Sequence, residues 1–187
     1  MLFTREDTYA SFMMDHAAGT HPESLALAGD LHMMLSKDAA STAFAWSIIG
    51  GALLETAEAE PLVRAPEPER LSYKRQRSPA GARAILDVAS GPITWKRGLS
   101  SIAYLPVGVP GGKLMKLEAG QSVPKHGHTV IEATVVVQGR LRDAFGEYGE
   151  GDLMLGEPGM HHKPVAAGNE PCVCYVAEPP LFSWRLQ

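Results

Sequence analysis

Polar and apolar positions follow a helical period in the first third of the chain and a strand-like period in the last half. Tyr9, Phe12, Met13 and His16 recur three and four residues apart, predicting a helix that Gly19 stops. Thr20 with Glu23 three residues on, and Pro22 between them, reads as a capping box that opens a second helix. Leu25, Ala28, Leu31 (or His32) and Leu35 then follow one face of it. A third run over 38–55 carries Phe44, Trp46, Ile48, Ile49, Leu53 and Leu54, weakened by the Gly50-Gly51 pair. Residues 57–83 read as a connector: Pro61, Pro66, Pro68 and Pro79 interrupt a run rich in Glu, Arg and Ala, although a short helix fits at 67–75. From Ala84 the pattern changes to short β-rich segments at 93–95, 102–105, 113–117, 130–137, 152–155, 172–177 and 181–186, separated by Gly and Pro. Many short strands spaced by turns predict a barrel or a two-sheet sandwich. The expected architecture is α+β: a small helical bundle over 1–57, a Pro/Arg/Glu-rich linker over 58–83 and a β-barrel over 84–187.

Composition narrows the partners. With 45% hydrophobic and 20% charged residues and a net charge of −4 over 187 residues, the chain is neither disordered nor a basic nucleic-acid binder. The charge is uneven. Residues 1–56 set Arg5 and Lys37 against seven carboxylates, a net of −5, whereas residues 57–113 are net +4. An acidic head before a basic middle suggests units with separate partners. No stretch of about 18 apolar residues occurs, and the opening Met1-Leu2-Phe3-Thr4-Arg5-Glu6-Asp7 lacks the basic-then-apolar run of a secretory signal; both predict a cytoplasmic protein without membrane attachment. Cys172 and Cys174 sit two residues apart, where a disulfide is strained, in keeping with a reducing compartment. Met13-Met14 and Met33-Met34 are half of the chain's eight methionines. Adjacent helical residues do not face one line, so one of each pair is expected near the surface, either for an adaptable protein contact or for filling gaps against the second domain.

The chemistry concentrates in Gly120-Gln-Ser-Val-Pro-Lys-His126-Gly-His128-Thr-Val-Ile-Glu132. Side chains alternate faces along a strand, so the even-numbered His126, His128 and Glu132 point into one interior if this stretch is extended. Two imidazoles and a carboxylate on one inward face are costly to bury without a compensating partner, and a divalent cation takes both donor types. Downstream, Gly159-Met160-His161-His162 offers a fourth ligand from an opposing strand.

These residues resemble the cupin superfamily. Its first motif is filled by Gly120, His126, His128, Glu132 and Gly139; its second is met by Gly151, Gly159 and His162, with Glu157 and Ala166 where Pro and Asn are usual. The resemblance implies a jelly-roll barrel holding a metal on His126, His128, Glu132 and His162. Zinc is the leading candidate, with iron, manganese or nickel as alternatives, and His161 is left at the rim. The order of parts further resembles ChrR-type anti-sigma factors, a helical sigma-binding domain joined to a cupin-like domain. That likeness rests on Ala17-Ala18-Gly19-Thr20, Glu23, His32, Gly50-Gly51-Ala52-Leu53-Leu54-Glu55, Pro164-Val165-Ala166 and Cys172-Val173-Cys174. It implies a regulator that binds an alternative sigma factor, with Phe12, Met13, Met33 and Leu35 as apolar anchors on an acidic domain, no direct nucleic-acid contact, and the metal-bound barrel as sensor. In that reading Cys172 and Cys174 stand as neighbours of the metal ligands. Family members with zinc in the helical domain use two cysteines four and seven residues after the His32 equivalent. Those places hold Ser36 and Ala39 here, and no histidine precedes His16, which predicts a metal-free helical part with His32 an ordinary helix residue. The alternative is a metal-dependent cupin enzyme of the dioxygenase or isomerase kind, with a small-molecule ligand in the barrel; a homodimer through edge strands is compatible with either.

Overall fold

The computed structural model describes residues 5–58, 79–91, 94–98 and 101–180. The three predicted helices are present as α1 (Arg5–Ala18), α2 (Glu23–Leu35) and α3 (Lys37–Thr56). Gly19 ends α1 as expected. At φ +82° it lets its own N–H reach the His16 carbonyl (3.2 Å) while Thr20 N–H reaches Asp15 O (3.1 Å), a Schellman closure. This closure undoes the expected capping box. The Thr20 hydroxyl donates back to Asp15 O (3.1 Å), so α2 starts after Pro22 with no side-chain cap. The Ser36 hydroxyl accepts from Ala39 N–H (3.4 Å) and opens α3.

A fourth helix, α4 (Pro79–Ala89), crosses the expected start of the barrel at Ala84, so regular β-structure begins later. The predicted helix at 67–75 and the strand at 181–186 lie outside the described residues. The strands are β1 (Lys96–Arg97), β2 (Ala103–Pro106), β3 (Gly112–Leu117), β4 (His126–Gly127), β5 (Glu132–Gln138), β6 (Leu141–Arg142), β7 (Glu147–Tyr148), β8 (Leu153–Gly156), β9 (His161–His162), β10 (Val165–Ala166) and β11 (Cys172–Ala177). The longer of these fall on predicted segments; the two-residue strands were not anticipated, and β1 follows rather than fills 93–95. All pairings are antiparallel. They build a six-stranded sheet in the order β1-β2-β3-β11-β5-β8, a three-stranded sheet β10-β6-β7 and a β4-β9 pair.

The large sheet separates two cores by residue parity. On β5 and β11 the odd-numbered Ala133, Val135, Val173, Tyr175 and Ala177 face outward and join Phe12, Met13, Leu25, Ala28 and Leu31 of the helices in one buried cluster. The even-numbered Val136, Cys172, Cys174 and Val176 face inward with Met115, Leu117, Leu141 and Met154. A helical bundle too small to be stable alone therefore completes its core on the barrel's outer wall, chiefly through α2 against β5 and β11. Polar ties hold both ends of α2. Ser24 Oγ donates to Glu178 O (2.7 Å) and Tyr175 OH donates to Ser24 O (3.2 Å) at its start, and His32 Nδ1–H donates to Gly151 O (2.6 Å) near its end. His32 is thus a buried strut between helix and barrel, not an ordinary helix residue, and its Nε2 also meets Tyr9 OH (3.0 Å). Each methionine pair divides as expected: Met13 is fully buried and Met33 half-buried, while Met14 and Met34 are 42% and 39% exposed. Among the described residues no helix is long and apolar enough to cross a membrane.

Candidate metal centre

Short β-pairing delivers the histidines. β4 and β9 pair with His126 opposite His162 and Gly127 opposite His161, so the first pair points inward and His161 is left exposed. His128 follows β4 in a loop fastened to the β8–β9 turn, its N–H donating to Met160 O (3.2 Å) and its carbonyl accepting from Gly159 N–H (2.8 Å). Glu132 opens β5 with its even-numbered side chain inward. Ligand atoms of His126, His128, Glu132 and His162 all lie within 4.8 Å of one another, and all but half-buried His126 are buried.

The hydrogen bonding prepares this cluster for a cation. His126 Nδ1–H donates to Pro124 O (2.9 Å), and His162 Nδ1–H donates to the fully buried carboxylate of Asp143 (3.1 Å). Both contacts leave Nε2 as a bare lone pair. The His162 Nε2 lies 2.9 Å from that of His128 and 3.1 Å from that of His126. A proton on His128 Nε2 can bridge only one of these contacts at a time, whereas a cation among the three nitrogens serves them all. Four-coordinate zinc with nitrogens at 2.0–2.1 Å spaces its ligands about 3.4 Å apart, so a small outward adjustment of the rings makes room for an ion. Burial, with His162 and His126 as neighbours, lowers the His128 pKa, favouring the neutral ligand form. Glu132 is pushed up to about 7, first by burial and then by the charge and hydrogen bond of Glu178, against smaller opposing effects of Lys113 and Thr134. Three imidazoles and a buried carboxylate can hold one divalent metal ion.

Several contributors escaped the sequence reading. Asp143 orients His162 from a loop that carries no strand periodicity. Gly156 pairs with Glu132 across β5 and β8, and a Cβ there would stand 2.7 Å from His128 Nε2, so only glycine admits the ring. Glu178 continues the even-numbered inward face of β11 one step past Val176, a parity signal that could have found it. Cys172 and Cys174 point into the interior with their sulfurs 3.4 Å apart; the Cys172 hydrogen bond, then burial, raises the Cys174 pKa and keeps it a thiol.

Two of the four expected partner anchors are overturned. Phe12 and Met13 are buried in the helix–barrel core, the Phe12 ring 4.4 Å from that of His21, because α1 turns its most apolar face inward. Met33 packs half-buried on the same core, and only Leu35 is exposed. Among the described residues, exposed apolar side chains concentrate on α3 instead. Phe44 (67% exposed), Ile48, Ile49, Leu53 and Leu54 (79%) all face solvent, spread around the helix past its contacts through Ala43 and Trp46.

Residues 109–181 match the ChrR cupin-like domain family. The chain is 30% identical over 183 residues to the anti-sigma-E factor ChrR of Cereibacter sphaeroides, covering 87% of this chain and 84% of that protein. It is also similar to a chain in the crystal structure of Rhodobacter sphaeroides SigE in complex with the anti-sigma ChrR, with a TM-score of 0.70 and 26% identity over 91% of this chain and 96% of the other.

Proposed function

The chain belongs to the ChrR family of anti-sigma factors, and from that membership we propose that it binds an alternative (ECF-type) sigma factor through its helical domain, with the metal-loaded barrel as sensor. The observation that carries the first half is α3. A helix apolar on all sides is ordinarily buried, yet the second half of α3 meets no covering element among the described residues. A sigma factor supplies that cover. Its basic DNA-facing surfaces suit a domain of net charge −5, which speeds encounter and excludes DNA from the same surfaces. Such a partner places the protein in the cytoplasm.

The sensing half rests on the ligand cluster and its route to the helices. Zinc suits a compact set of three imidazole nitrogens and one carboxylate; when bound it would neutralise Glu132 and tie β4, β5 and β9 together. Strand β11 joins that region to α2. The Glu178 side chain is hydrogen-bonded to Glu132, while its backbone carbonyl accepts the Ser24 hydroxyl at the first turn of α2. Without a positive centre the Glu132 carboxyl is raised toward its protonated form beside Glu178, and this changes the electrostatics at the end of β11 that anchors α2.

The test is association of the purified, metal-loaded chain with the sigma factors of its own genome, read by calorimetry or gel filtration. One sigma factor is expected to bind at submicromolar concentration, and Phe44→Asp or Leu54→Asp to weaken it at least about 30-fold, as for a central apolar anchor. No complex with any of them at micromolar concentrations overturns the reading.

A further inference from the structure

At the end of β8 a single peptide separates the ligand cluster from the helices. Along this strand the odd-numbered Leu153 and Leu155 pack on the helical side, and the even-numbered Met154 packs inside the barrel. The alternation runs on past the strand. Gly156 lies inward, where a Cβ would stand 2.7 Å from His128 Nε2. Glu157 turns outward, and its carboxylate accepts the Thr8 hydroxyl of α1 at 2.6 Å. Both partners are half-buried, so this charge-assisted bond is partly shielded from water.

The turn that Glu157 opens is tied to two of the ligands. Met160 N–H closes it on Glu157 O (2.9 Å), Gly159 N–H donates to His128 O (2.8 Å), and His128 N–H donates to Met160 O (3.2 Å). His162 follows two residues after Met160, in the β4–β9 pair. An ion that spreads the imidazole nitrogens from 2.9 and 3.1 Å therefore acts on this turn through both His128 and His162. Glu157 stands where the cupin motif usually has Pro, whose side chain offers no acceptor, so the departure from the motif is what makes the contact. Beyond Thr8, α1 packs chiefly on α3, the helix with the exposed apolar side chains.

We propose that the Thr8–Glu157 contact carries the metal state of the barrel to helix α1, and so to the helical domain, with Thr8 and Glu157 as positioning residues. This rests on the reading of the chain as a metal-dependent regulator and names how that dependence reaches the helices. Bound metal fixes the turn at 157–160 and favours the contact; loss of metal frees the turn and weakens it. Linkage is reciprocal, so the contact favours metal binding by the same factor although neither residue is a ligand. One part-exposed hydrogen bond to a charged group sets the scale of this coupling at about three- to tenfold.

Hydrogen–deuterium exchange of the full-length protein, zinc-loaded and chelator-stripped, tests the proposal. Zinc uptake tests the metal reading by itself, and a chain that takes up none overturns both. Zinc removal is expected to speed exchange of the α1 amides at least about threefold in the unaltered chain. Thr8→Val and Glu157→Ala are expected to abolish that difference, while Thr8→Ser, which keeps the hydroxyl, retains it; either of the first two suffices if the other does not fold. In a competition titration both are expected to bind zinc about three- to tenfold more weakly, and Thr8→Ser to match the unaltered chain. Exchange of α1 that ignores zinc, a zinc effect undiminished in the variants, or zinc affinity unchanged in them overturns the proposal. Neither readout needs a sigma factor, so a chain that shows both effects yet binds none upholds the contact and overturns the regulator reading alone.

Discussion

Removing the metal exposes the cost of burying Glu132, and the structure sets its size. Its carboxyl is held at about 7 against an ordinary 4.5, chiefly by burial and then by Glu178. Between those values the folded, metal-free chain holds a proton that the unfolded chain has released. The folded state therefore binds more protons, and its stability falls as pH rises from 4.5 through 7. That difference, at 1.36 kcal/mol per pH unit, makes the full loss about 3 kcal/mol above pH 7. His128 and His32 act in the opposite sense, because burial lowers their pKa and the unfolded chain takes up the proton first as pH falls. The comparison with Glu132→Gln separates the two, since the variant keeps the histidines and lacks the carboxyl. Urea denaturation of chelator-stripped protein at pH 5 and pH 7.5 is the assay. The variant is expected to gain about 2 kcal/mol on the unaltered chain between the two pH values, part of the loss being complete already at pH 5, and metal-loaded protein is expected to escape the penalty. Parallel stability profiles for the variant and the unaltered chain would refute the reasoning.

Three further outcomes follow from contacts already described. Gly156→Ala places a methyl group against His128 Nε2 and is expected to lower zinc stoichiometry well below one per chain by elemental analysis while the barrel still unfolds cooperatively. Asp143→Asn removes the carboxylate that fixes the His162 ring and is expected to weaken zinc roughly 10- to 100-fold in a competition titration with a chelating dye; unchanged affinity would count against an orienting role. His32→Ala strands the Gly151 carbonyl and leaves the Tyr9 hydroxyl only its Thr42 contact, and is expected to cost about 2 kcal/mol of stability, measured at pH 8 where His32 is neutral in both states; a loss under 0.5 kcal/mol would deny it the strut role.

The site was legible where parity applies and obscure where it does not. His126, His128 and Glu132 could be picked out by ligand type and shared parity, although the chain leaves β-structure at 128–131, and His162 by its place in the second cupin motif; the structure brings those four side chains together. Asp143 sits in a loop and meets His162 only through tertiary folding, so no local pattern announces it. Gly156 has no side chain to read; its importance lies in the space it leaves for His128. The helices were found by their period, yet the period does not say which apolar face is used within the chain. Phe12 and Met13 went to the core because the barrel's outer wall completes it, and that left α3 uncovered. Thr20 fitted a capping pattern, but the Schellman closure of α1 claimed it first. The helix α4 escaped because the prolines before it dominated the reading of that stretch.

Metal content of the purified chain, measured by elemental analysis alongside His162→Ala and His161→Ala, tests the central claim most directly. One divalent ion per chain is expected in the unaltered protein and in His161→Ala, and far less in His162→Ala. An unaltered protein without metal, or one whose ion survives loss of His162, contradicts the account of the barrel as a metal site.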